Sequence, residues 1–295
     1  MRVTEALVYN RMGRNNTLSR QRLDKTSLQL MTGRSIERPS DDPLLASRIE
    51  QANRGMRRTD RFRENIAQTD THYRNVESTV ATVVDQLSEL SELAISMVSG
   101  AMNADNKSYA AEQVTNILQS MRALGNMKYD GKYIFSGRLE TTPAYDDLGN
   151  YQGDAIGRTT EVTDGYSIQA DMSGLEVFGD PGAGATTAFQ AAENLRTGLL
   201  ANDNTQILAA LEELQAAHKT ATGAWSVIGY RLSELQQYDG INDDQKINYA
   251  EQEADLVGAD YAKAASEMQF AETVYQASLA TSSRLMEILK MEARL

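Results

Sequence analysis

Apolar positions in this chain recur every three or four residues over long stretches, the spacing of one helix face. The longest series runs Tyr73, Val76, Val80, Val83, Leu87, Leu90, Ala94 and Met97, with Ile66 and Thr69 just before it. Its unbroken alternation reads as a coiled-coil seam. Ser40-Asp41-Asp42-Pro43 marks the start. There Ser40 is a candidate N-cap, the two aspartates face the positive end of the helix dipole, and proline is tolerated in a first turn. Ser99-Gly100 marks the end. At roughly 1.5 Å per residue such a helix would measure about 80 Å, longer than a compact globule of this size accommodates, so the expectation is a rod.

A shorter helix follows, with Ala110, Val114, Ile117, Met121 and Leu124 on one face. Helical spacing returns after about Thr187 with Ile207, Leu211, Leu214, His218, Ala221, Trp225, Ile228, Leu232 and Leu235. It resumes at Ala250, Ala254, Val257, Tyr261, Ala264, Met268, Ala271, Tyr275, Ser278, Ser282, Leu285 and Leu289, where the alanines allow close helix approach. The N-terminal series Tyr9, Met12, Asn16, Ser19, Leu23, Thr26 and Leu30 keeps the spacing, but three of its seven members are polar. Such a helix is weak alone and needs partners.

The middle of the chain breaks the pattern. Ten of the 20 glycines fall between Gly131 and Gly184, together with Pro143 and Pro181. The turn signal Asp130-Gly131 precedes Tyr133-Ile134-Phe135. Glu161-Val162, Tyr166-Ser167-Ile168 and Leu175-Glu176-Val177-Phe178 are separated by glycines and read as short strands. The expected fold is mainly α with a small β-rich insert: a long antiparallel coiled-coil helical rod built from N- and C-terminal arms, with a distal β domain. Its parts are an N-terminal helical arm (1–40), two halves of the helical rod (41–128 and 187–270), the β-rich outer domain (129–186) and a C-terminal helical arm (271–295).

Composition narrows the class. The 295 residues are 41% hydrophobic, 24% charged and 6% aromatic, which excludes collagen-like, mucin-like and wholly disordered chains. There is no run of 18 apolar residues, so no membrane insertion is expected, and Met1-Arg2-Val3-Thr4-Glu5-Ala6-Leu7 carries no secretory h-region. The absence of cysteine removes disulfides, thiolate metal sites and cysteine nucleophiles together. The net charge of −12 divides unevenly: residues 1–63 carry +7 and the remainder −19. Because the basic part also carries apolar helical spacing, it reads as a surface that packs on acidic partners, not as a nucleic-acid site. The same holds for the stripe Arg54, Arg57, Arg58 and Arg61, which has only Phe62 beside it as a stacking ring.

Nothing supports catalysis or a bound cofactor. Gly179-Asp180-Pro181-Gly182-Ala183-Gly184-Ala185-Thr186 has the frame of a phosphate loop, but Ala185 stands where the phosphate-binding lysine belongs. A flexible exit from the β domain is the better reading. The two histidines, His72 and His218, cannot make a three-histidine zinc site and lie at or beside helical seams. Asn202-Asp203-Asn204 and Asn242-Asp243-Asp244 lack the glycine and glutamate of a calcium loop and are assigned to helix caps. Asn15-Asn16-Thr17 and Asn106-Lys107-Ser108 match the glycosylation sequon, a low-specificity pattern discounted without a secretory signal.

Specific residues say more. Leu30-Met31-Thr32-Gly33-Arg34-Ser35-Ile36-Glu37-Arg38-Pro39-Ser40-Asp41-Asp42-Pro43 resembles the signature of the bacterial flagellin family, and Glu272-Thr273-Val274-Tyr275-Gln276-Ala277-Ser278-Leu279-Ala280-Thr281 is similar to the family's C-terminal helix. The opening Met1-Arg2-Val3-Thr4, the run Asp130 to Gly137 followed by Thr141-Thr142-Pro143, Tyr151-Gln152-Gly153-Asp154, and Gly174 to Phe178 resemble the members that join hook to filament. The resemblance implies an extracellular structural subunit, exported unfolded through the flagellar type III apparatus with a possible export chaperone. Its terminal segments would order only on assembly. Its partners would be hook-associated protein 1, flagellin and copies of itself, in a ring of about eleven. Leu23, Leu30, Asp41, Asp42, Pro43, Tyr275, Leu279, Leu285 and Leu289 are the expected assembly contacts. The alternatives are a short filament flagellin and, more remotely, a cytoplasmic coiled-coil scaffold.

Overall fold

A computed structural model of the chain describes residues 2–98 and 102–292. Helices α1 (Arg2–Thr32), α2 (Pro43–Val98) and α3 (Ala104–Gly125) come first. Strands β1 (Lys128–Tyr129), β2 (Lys132–Tyr133), β3 (Thr159–Thr163) and β4 (Tyr166–Gln169) follow, and then helices α4 (Gly174–Phe178), α5 (Ala188–Leu200), α6 (Asn204–Val257) and α7 (Tyr261–Glu292). The chain folds as two compact units, one of residues 1–58 with 245–295 and one of residues 59–244.

The second unit is built on the α2 seam. Phe62, Ile66, Thr69, Tyr73, Val76, Val80, Val83, Leu87, Leu90 and Ala94 are all buried, following the 3-4 spacing read from the sequence. α3 contributes Ala110, Val114, Ile117 and Met121, α5 contributes Leu195 and Leu199, and α6 contributes Ile207, Leu214, Ala221, Ile228, Leu232 and Leu235. These stripes form one continuous core, because each amphipathic helix can bury its apolar face only against the others. Buried Ala110 and Ala111 on α3, with Ala188, Ala191 and Ala192 on α5, leave room for those two helices to pack closely. On α6, Ala224 takes the buried place expected for Trp225, which is 39% exposed.

Caps account for the helix starts. Asn103 accepts from the Asn106 amide at 2.8 Å, and Thr187 forms a capping box with Gln190. Asp203 accepts from the Thr205 amide at 2.8 Å, so the Asn202-Asp203-Asn204 cluster is a cap. Asn242-Asp243-Asp244 is not, since α6 runs through it. There the buried Asn242 amide donates to the Val162 carbonyl at 2.7 Å, and Asp243 accepts from Arg63 at 2.7 Å. The expected end of α2, Ser99-Gly100, lies outside the described residues.

The β-rich segment is two antiparallel two-stranded ribbons. Asp130 and Gly131 both take positive φ, 50° and 75°, between β1 and β2, as a tight Asp-Gly hairpin turn requires. Leu175-Glu176-Val177-Phe178 is not a strand but the short helix α4, whose start is fixed by a capping box between Ser173 and Glu176. Ile134 and Phe135 also lie outside the strands, and Phe135 joins Phe178, Tyr145, Tyr151 and Phe189 in an aromatic cluster. The segment is pinned to the helices through Tyr73, whose hydroxyl lies 3.0 Å from the carbonyls of both Gln169 and Asp171. Arg231 of α6 donates to that hydroxyl at 2.6 Å and to Gln169 Oε1 at 2.7 Å. Burial pushes the Tyr73 phenol up to about 12, so it stays a neutral donor. The stretch Gly179 to Thr186 holds a 3-10 turn at Pro181–Ala183 that leads into the Thr187 cap.

Leu87→Asp places an unpaired carboxylate in the centre of this core and should cost at least about 3 kcal/mol. Leu208→Asp, at a side chain 48% exposed on α6, should change stability by less than about 0.5 kcal/mol. Urea unfolding followed by circular dichroism measures both.

Candidate assembly site

In the first unit α1 packs antiparallel on α7. The covered positions of α1 are Met12, Asn16, Ser19, Leu23, Thr26 and Leu30, the expected series less Tyr9, which is 59% exposed. Those of α7 include Ala264, Met268, Ala271, Tyr275, Ser278, Ser282 and Leu285. Two helices cannot enclose all the apolar surface they carry. Leu7, Leu18, Leu28 and Met31 on α1 stay exposed, as do Phe270, Met286, Ile288 and Met291 on α7.

The expected seam of the C-terminal region is interrupted. α6 ends at Val257 and α7 begins at Tyr261, and Ala250, Ala254 and Tyr261 are exposed. The N-terminal strand of the unit breaks opposite, between Thr32 and Pro43. A short backbone clasp ties the two breaks together. The Ser35 amide donates to the Val257 carbonyl at 2.7 Å, and the Ala259 amide donates to the Gly33 carbonyl at 2.9 Å. Ser35 Oγ adds a bond to the Leu256 carbonyl at 2.9 Å. Gly33 sits at φ +70°, a conformation that favours glycine, with the exposed Tyr261 hydroxyl close by.

The aspartate pair divides its labour. Asp41 folds the connecting loop: its Oδ2 accepts from the Arg38 amide at 3.1 Å and its Oδ1 pairs with Lys25 of α1 at 3.3 Å. The Arg38 amide first, and Lys25 after it, hold the Asp41 carboxyl below its ordinary value. Asp42, not Ser40, caps α2, accepting from the Leu44 and Leu45 amides at 3.1 and 3.0 Å, with Pro43 as first helical residue. Further along α2, Gly55 is buried under the Tyr249 ring, which would lie 2.6 Å from a β-carbon. Arg54 and Arg57 share Glu50 at 3.1 and 2.8 Å, which offsets one charge of the arginine stripe within its own helix.

Of the expected contact residues, the structure brings Leu23, Leu30, Tyr275 and Leu285 into the helix pair. It sets Asp41 and Asp42 in the loop between α1 and α2, and Pro43 at the start of α2. Leu279 points away from the seam, 45% exposed. The side chain of Leu289 lies outside the described residues. The expected set omitted Gly33, Ser35 and Tyr261, although the first two stand inside the flagellin-like signature.

The second unit holds an open cleft of about 760 Å³ between α2, the β1–β2 turn and β3. Its charges satisfy one another. Buried Asp171 accepts from Arg158 Nε at 3.1 Å, Arg158 also meets Glu140, and Lys132 reaches Glu140 at 2.7 Å. His72 lies beside it with its Nε2 buried and unpartnered among the described residues, and burial lowers its pKa. Among the described residues no group of three or more His, Asp or Glu could hold a metal, and no helix is long and apolar enough to cross a membrane.

Comparison with known proteins gives a consistent picture. Residues 3–140 match the bacterial flagellin N-terminal helical region. Flagellar hook-associated protein 3 of Escherichia coli K12 is 24% identical, covering 94% of this chain and 95% of that protein. Among solved structures, a putative flagellar hook-associated protein from Vibrio parahaemolyticus aligns with a TM-score of 0.68 at 20% identity, over 74% of this chain and all of that one. The flagellar junction protein FlgL from Legionella pneumophila aligns with a TM-score of 0.60 at 15% identity, over 72% of this chain and all of that one.

The Asp41 geometry carries a pH signature. Its folded carboxyl titrates below 3.8, so its hydrogen bonds are complete at neutral pH and are lost only as pH falls through that lower value. The amide proton shifts of Glu37 and Arg38 in nuclear magnetic resonance should titrate with a midpoint under 3.8, and Asp41→Asn should abolish the titration.

Proposed function

We propose that this chain, a flagellar structural protein of the flagellin family and of the hook-associated-protein-3 kind, forms the junction between hook and filament. The observation that carries the reading is the similarity to hook-associated protein 3 along nearly the whole length of both chains. The protein is structural, not an enzyme. In the proposed role, copies of the chain stand side by side in a ring of about eleven, as a closed head-to-tail contact requires. Hook-associated protein 1 lies on one side of the ring and flagellin on the other. The subunit reaches this place outside the cell through the flagellar type III export apparatus.

The exposed leucines and methionines of α1 and α7 support a role in assembly, because neighbouring subunits would supply the surface a helix pair lacks. The thin seam of α1, with Asn16, Ser19 and Thr26 among its covered residues, supports a terminal pair that takes its full order only when neighbours close over it.

Antibody–gold labelling of intact flagella tests the role. One band of label where filament meets hook is the expected result. Label along the whole filament would make the chain a filament flagellin, and label on no appendage would end the flagellar junction reading. Leu285→Asp should leave unfolding of the 59–244 unit unchanged and abolish incorporation into flagella. Both are read by circular dichroism and by immunoblots of sheared filaments.

A further inference from the structure

The α1–α7 seam contains one layer unlike the rest. Asn16 reaches across to α7, donating from Nδ2 to Ser282 Oγ at 3.1 Å and accepting at Oδ1 from Ser278 Oγ. Ser282 is buried. In the heptad phase set by Met12, Asn16, Ser19, Leu23, Thr26 and Leu30, Asn16 occupies an a position. There a buried asparagine is a known means of fixing alignment at some cost in stability. The other seam hydroxyl on α1 that is buried, Thr26, bonds the Arg22 and Leu23 carbonyls of its own helix at 3.1 Å and demands nothing of α7.

We propose that the Asn16–Ser278–Ser282 layer sets the register of the α1–α7 pair, selecting one alignment where the rest of the seam tolerates several. The remaining seam is permissive because much of it is small: Ser19 and Thr26 face a helix carrying Ala264 and Ala271. Side chains of that size leave little shape to lock one alignment against the next. Polar matching is different. A slip of one heptad in one direction sets Ala271 and Tyr275 opposite Asn16, and in the other direction Leu285 and Leu289. Neither pair offers the two short hydroxyls that hold the amide, so both slipped states give up these hydrogen bonds at a half-buried polar group.

The clasp at Gly33 and Ala259 holds one end of the pair. Asn16 lies seventeen residues away, about 25 Å along the helix, and supplies the second fixed point that the clasp cannot. The inference stands on the geometry of the helix pair and is independent of the junction role.

The chain has no cysteine, so Arg14→Cys and Arg284→Cys, both at exposed positions, accept spin labels at those two sites alone. Pulsed electron paramagnetic resonance on flagella assembled with the labelled chain then reports the helix alignment. The otherwise unaltered labelled chain should give one separation. Asn16→Leu should keep or raise helical content yet add a second population displaced by about 10 Å, one heptad. Ser278→Ala with Ser282→Ala should reproduce that split, and adding Asn16→Leu to them should change nothing further. A single unshifted separation in Asn16→Leu overturns the proposal. If the labelled parent chain is missing from flagella, the junction role fails, and the same distances in the purified full-length chain polymerised in vitro decide the register. A parent without one defined separation in either setting overturns the register proposal as well.

Discussion

A helix with one apolar stripe gains its stability from whatever covers that stripe, and nearly everything in this chain follows from how its stripes are covered. In the 59–244 unit the seam of α2 meets those of α3, α5 and α6, and the result is a closed core. In the other unit α1 and α7 have chiefly each other, and large apolar side chains remain in water. The contrast separates a closed core from a helix pair that leaves apolar surface in water.

The long helices were legible because period and burial coincide over many turns. The α2 seam came through residue for residue from Ile66 to Ala94, and α3 likewise. Short elements were not legible. Leu175 to Phe178 has strand-like composition, yet Ser173 and Glu176 close a capping box that makes it helical. Asn242 to Asp244 looks like a cap because capping residues are polar. Here Asn242 is polar in order to bind a strand carbonyl from inside a helix. In the first case a local capping box decides the conformation, and in the second the partner lies 80 positions away, beyond any local pattern.

At the terminal unit the sequence showed where the chemistry lay but not what each residue did. Gly33, Asp41, Asp42 and Pro43 stand together in the signature, but their tasks differ. Gly33 supplies a positive φ, Asp41 folds the loop onto Lys25, Asp42 caps, and Pro43 starts the helix. Ser35 stood in the signature and Tyr261 in the helical series, but neither was marked for the clasp, because bonds between backbone amides and carbonyls leave no trace in side-chain pattern. Asn16, Ser278 and Ser282 were visible only as flaws in a hydrophobic repeat, and their meaning depends on facing one another.

The pairing of α1 with α7 joins the two extremes of the polypeptide: Asn16 and Ser278 are 262 positions apart. A contact of that span cannot form until residue 278 has been made, however early α1 itself emerges. The N-terminal helix is therefore without its partner throughout synthesis, while residues 59–244 already possess every segment of their own core. A chain cut short near its end would present a finished body and an unfinished terminus. The α1–α7 pair is thus closed only in copies whose synthesis has passed through α7.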